Sequence, residues 1–162
     1  MATGTYTALA ETTLTSTASS VTFSSIPTTD ANGNSLRDLV LVTNMYANQI
    51  NEGFVILNGS SSGFTAVRML GYSSGAISGT YTTNNLVPTQ TSPSAYKLQF
   101  LDFSATDKHK IILMNHGRAD DVTASYAARW ASTSAITSIK IQTTSPYVFV
   151  AGATFALYGI AG

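Results

Sequence analysis

A chain of 162 residues falls within the span of one domain, and with 44% hydrophobic residues and no cysteine it builds its core without disulfides, thiolate catalysis or Cys-based zinc. Charged residues are only 10% and cancel, eight basic against eight acidic, with Arg37, Arg68, Lys97, Lys108, Lys110, Arg118, Arg129 and Lys140 mostly scattered; the clustered positive charge of a nucleic-acid surface is missing. Solvation falls instead to 44 Ser and Thr residues, whose small hydroxyls bond water or backbone while Thr favours strands.

Residues 1–20, dominated by Thr, Ala and Ser, are expected to form an N-terminal arm that orders on a neighbouring subunit or an edge strand, ahead of a β-sandwich domain over residues 21–162. Met1 to Thr5 carries neither the basic flank nor the apolar run of a secretory signal, so no export is expected. Val21 to Ser25 alternates apolar with polar residues and stops before Pro27, the pattern of a strand with one buried face. Asp38-Leu39-Val40-Leu41-Val42 is a continuous apolar run, which predicts a central strand buried on both faces.

Phe54 to Leu57 predicts a strand that enters a turn at Asn58-Gly59, the dipeptide most easily placed at positive φ. Further strands are predicted at 64–70, 76–82, 96–103, 109–115, 136–141, 147–150 and 154–160. Val122, Tyr126 and Trp130 fall at helical spacing behind Asp120 and Asp121, but Tyr126, Ala128 and Trp130 also share one face at period two, and a strand is preferred because every neighbour is a strand. Pro146 to Gly162 is uncharged and mostly apolar, yet it is short for a membrane helix and broken by Gly152 and Gly159; two core strands around a glycine turn are expected, and no membrane partner. The sum is an all-β fold: an antiparallel β-sandwich, jelly-roll-like, of about ten strands.

Several motifs invite a chemical reading. Gly-x-Ser-x-Gly occurs at 59–63 and 71–75, and Asp102 with His109 or His116 follows in triad order, but that motif works on a strand-to-helix turn and strands are predicted after it. His109 and His116, seven apart, point to opposite faces of one strand and so cannot share a metal; both are expected to be neutral surface residues. Asp30-Ala31-Asn32-Gly33-Asn34 opens like a calcium loop but has Ser35 where glycine is needed and Leu41 where a bidentate glutamate is needed, so a polar turn is expected. Glu11 and Glu52 are the only glutamates, and a glycosidase pair would have to draw on them or on Asp102, Asp120 or Asp121. Asn58-Gly59-Ser60 is formally a glycosylation acceptor, and without an export signal it is taken as a turn. Trp130 is assigned to the core ahead of a sugar-stacking platform. No catalytic, cofactor-binding or metal residue is assigned, and the chain is expected not to be an enzyme.

Three patches resemble a family of small virion proteins of phages, especially phages of aquatic bacteria. Ser20 to Pro27 leading into Arg37 to Val42 is similar to that family's opening strand pair. Phe54 to Gly59 with Tyr72 and Gly75 resembles its middle stretch, and Trp130 to Ile139 with Gly152 to Ile160 resembles its closing strands and terminal Leu-Tyr-Gly-Ile. The resemblance implies a β-sandwich located in the virion, assembled in the host cytoplasm, with no catalytic residues to carry over. A chain opening on Met1 and this short is expected to be a capsid decoration or head-fibre protein, without room for a fibre's shaft and tip. Its expected partners are further copies of itself, with a trimer favoured, and the major capsid protein or other virion proteins. The alternative is a tail-fibre or receptor-binding module that holds a host surface glycan.

Overall fold

The computed structural model describes residues 5–75, 77–82, 87–118 and 122–162. Among them are twelve strands: β1 (Tyr6–Thr13), β2 (Ser20–Phe23), β3 (Leu36–Met45), β4 (Asn51–Leu57), β5 (Phe64–Tyr72), β6 (Ile77–Thr82), β7 (Val87–Thr89), β8 (Ser94–Leu101), β9 (Lys110–Arg118), β10 (Val122–Trp130), β11 (Ile139–Thr143) and β12 (Thr154–Ala161). They form an eight-stranded sheet in the order β1-β12-β3-β8-β9-β10-β5-β6 and a four-stranded sheet in the order β2-β11-β4-β7, with every neighbouring pair antiparallel. The fold is the expected all-β sandwich.

Setting aside β5, β6, β9 and β10 leaves two sheets of four, β1-β12-β3-β8 and β2-β11-β4-β7, between which the chain crosses at almost every step. That is the jelly-roll connectivity, in which two interlocked Greek keys close a sandwich. The four remaining strands are two hairpins, β5-β6 inserted between β4 and β7, and β9-β10 inserted between β8 and β11. β10 pairs with β5 over nine residues, Val122↔Tyr72 to Trp130↔Phe64, so the insertions join each other and widen one sheet to twice the other.

Alternation explains the core. In β9 and β10 every second residue is buried, which turns Ile112, Met114, Tyr126, Ala128 and Trp130 inward. β10 is a strand although its large residues sit four apart, because a spacing of four is also a multiple of two and fits both periods; full registers with β5 and β9 decide between them. β3 lies between β12 and β8, and its residues 38–41 are buried on both faces as the continuous run predicts, while Val42 is 43% exposed. The turn after β4 has Asn58 and Gly59 at φ 51° and 80°, which holds the left-handed turn the dipeptide predicts.

One predicted strand does not form, and one strand forms that no predicted segment covers. Residues 147–150 form no strand: Phe149 makes only isolated bridges to Ala18 and Ala47 and packs edge-on against Phe155, so its segment is apolar because it plugs the core. β7, three residues interrupted by Pro88, was not predicted, since a run that short has no period to detect. Tyr6 to Thr13 pairs along β12 as the edge of the large sheet. Of the segment predicted at 76–82, residue Ala76 lies outside the described residues.

Candidate functional site

Among the described residues, those that could carry hydrolytic chemistry lie on several different elements of the fold. Ser61 sits in the exposed turn between β4 and β5, and Ser73 in the exposed turn of the β5–β6 hairpin, so each is followed by a strand. Asp102, in the β8–β9 connection, is ion-paired with Lys108 at 3.3 Å. His109 is exposed just before β9, whereas His116 is buried on the inward face of that strand. This corrects the expectation that both histidines lie at the surface: His116 shares its parity with Ile112 and Met114, and parity rather than polarity sets its direction. Glu11 lies on β1 and Glu52 on β4, in different sheets. Asp120 and Asp121 lie outside the described residues.

The remaining polar motifs are used internally. Asp30 Oδ1 accepts from the backbone N–H groups of Asn32 and Asn34 at 2.9 and 2.8 Å, and Oδ2 accepts from the Asn34 carboxamide at 2.8 Å; these bonds hold its carboxyl below the usual range. A carboxylate saturated by its own turn is an Asx turn, the polar turn expected. Among the described residues no group of three His, Cys, Asp or Glu side chains is placed to hold a metal. Asn58 donates to Ala135 O at 2.7 Å and accepts from Thr137 N–H and Ser138 N–H at 2.8 and 3.1 Å, which ties the turn to the segment before β11. Trp130 is 5% exposed and stacked on Phe64, a core residue.

One polar cluster lies between the sheets. Tyr96 and His116 are cross-strand neighbours on β8 and β9, with rings stacked at 5.0 Å and 11°. Tyr96 donates its hydroxyl to Pro88 O at 2.5 Å, crossing to the small sheet, and burial pushes its phenol well up. Arg118 donates to Gln90 Oε1 at 2.5 Å beside it. His116 is 4% exposed with no hydrogen-bond partner on either ring nitrogen; burial first, and Arg118 second, lower its pKa to about 4. A neutral imidazole with no hydroxyl bonded to it lacks the nucleophile–base contact that general-base chemistry starts from. The cluster joins the two sheets.

The outer face of the hairpin extension differs. Val67 and Met69 on β5 are 59% and 65% exposed, and Ile111 and Leu113 on β9 are 40% and 38% exposed. Between these two ridges β10 presents Ala127, Ser125 and Thr123, whose small side chains leave two shallow depressions of about 290 and 280 Å³. Sequence reasoning did not single out this face. Its signal was present in Ile111-Ile112-Leu113-Met114, a continuous apolar run of the same kind as the one in β3.

A smaller, hydroxyl-rich depression of about 250 Å³ lies on the small-sheet side, lined by residues including Ser19, Gln142, Ser145 and Tyr147. No family model matches the chain, and no curated protein matches it.

Proposed function

We propose that this chain is a non-enzymatic structural protein of a phage particle, acting as a capsid decoration or head-fibre protein. The observation that carries the reading is the shape of the large sheet. A jelly roll is widened by two inserted hairpins into an eight-stranded surface whose outer face over β5, β9 and β10 is largely apolar, with Arg129 the ionisable side chain among its described residues. Jelly rolls recur in capsid and lectin domains, an analogy of fold that supports the reading without assigning a role. Low net charge and a hydroxyl-rich surface let many copies pack side by side without repulsion, as a symmetric lattice requires. The resemblance of the opening and closing strands to small virion proteins points the same way. With Tyr6 to Thr13 held in the large sheet, contacts to the capsid fall to sheet faces and loops.

The test is co-sedimentation of the purified protein with phage particles stripped of it. Saturable binding to heads, at a ratio fixed by capsid symmetry, is expected. Pelleting with tails alone favours the alternative, a receptor-binding module, for which the depression around Gln142 and Tyr147 offers hydroxyl, carboxamide and ring surfaces suited to a sugar. Binding to neither heads nor tails refutes both readings.

A further inference from the structure

We propose that the outer face of β5 and β10 is a self-complementary contact between two copies of this chain, related by a two-fold axis running parallel to the strands between β5 and β10. This rests on the reading above that copies of the chain pack together in the particle, and it takes a two-fold dimer in place of the trimer that the sequence favours.

The geometry is set by register. Val67 is paired with Ala127, and Met69 with Ser125, so each large exposed side chain of β5 has a small one beside it on β10. A ridge therefore runs alongside a trough, about 4.8 Å away. Rotation about an axis in the interface plane between them carries the ridge of one copy over the trough of the other. Each Val67 then lies over the other copy's Ala127, and each Met69 over its Ser125. The strands of the two copies stay aligned, the arrangement that face-to-face sheets adopt at about 10 Å separation.

Charge and area agree with this occupant. The described outward residues of β5, β9 and β10 include one ionisable side chain, Arg129, whose paired residue is Thr65. The two-fold axis therefore sets each Arg129 over the other copy's Thr65. Lys97, on β8, lies two strands further from the axis, which keeps the two copies' lysines apart. Val67, Met69, Ile111 and Leu113 together expose roughly 400 Å² of apolar surface, as large as the largest patch most monomers carry and about half of one partner's share of a standard interface. The neighbouring Ala127, Ser125, Thr123, Thr65 and Asn115 supply the polar and small-residue remainder.

The experiment is sedimentation velocity on the full chain and three variants, with thermal unfolding recorded in parallel. Wild type is expected to sediment as a dimer. V67E/M69E, which places four carboxylates in the contact, and A127R, which fills the trough, are expected to sediment as monomers with unchanged melting; T22E, on the exposed face of β2, stays dimeric. If V67E/M69E melts early, A127R decides. A wild type that is monomeric at every concentration overturns both this surface and the homo-oligomer reading. Association that survives V67E/M69E and A127R overturns the surface alone. A trimer or an open-ended polymer that these variants dissolve overturns the two-fold geometry.

Discussion

Acid should weaken this fold through His116 in particular. His116 is 4% exposed, has no hydrogen-bond partner on either nitrogen, and has its pKa lowered from 6.5 to about 4, chiefly by burial and then by Arg118. The unfolded chain therefore binds a proton at a pH where the folded chain refuses it. Stability from this residue is complete above pH 6.5, falls as the pH drops through the window, and levels off below about pH 4. A difference of this size is worth about 3 kcal/mol between neutral pH and the lower end of the window, a large part of the ~5–15 kcal/mol of a typical domain. The perturbation is His116→Phe, which keeps a flat ring against Tyr96 and cannot titrate. Urea unfolding of both chains across the window isolates the residue, because the carboxylates contribute equally to each curve and cancel in the difference. The variant is expected within ~1 kcal/mol of wild type at neutral pH and about 3 kcal/mol more stable, relative to wild type, at the acid end. Parallel pH curves for the two chains would refute the reasoning.

Lys110 is fully buried, and its ammonium donates to the carbonyls of Ala105, Lys108 and Thr133 at 2.5, 3.2 and 3.3 Å; Lys110→Met fills the space but strips three acceptors of their donor, and urea unfolding should register a loss of about 2–4 kcal/mol. Gly53 lies in β4 between β11 and β7, where a Cβ would meet the carbonyl oxygens of Gln142 and Val87 at 2.8 and 2.9 Å. Gly53→Ala must spread the small sheet, with an expected loss of at least ~2 kcal/mol in the same assay. Asn58→Ala removes the acceptor of two backbone N–H groups and the residue type best suited to φ 51°. A drop of about 1–2 kcal/mol and faster proteolysis near residues 133–138 are expected.

The fold was legible where alternation and turn chemistry are strong. β9 and β10 alternate without a break, the Asn58-Gly59 turn can be taken from two letters, and the central place of β3 follows from its unbroken apolar run. What escaped is what depends on contacts across the sequence. His116 is buried because of its parity on β9, although its polarity argues for solvent. Phe149 is held by bridges to Ala18 and Ala47, about a hundred residues or more away, so its segment carries apolar residues without a ladder. The candidate surface escaped for another reason. An apolar run that implies two covered faces looks the same whether its second face is covered within the chain, as at Val40, 1% exposed, or left open to solvent, as at Ile111 and Leu113, 40% and 38% exposed.

The central claim is that the chain is a structural part of a phage particle, and an electron-microscopy map of the particle whose genome encodes it tests this most directly. The account predicts density fitted by this jelly roll at symmetry-repeated positions on the head, with the large sheet's outer face covered by protein. Purified particles in which neither the map nor mass spectrometry finds the chain would contradict it.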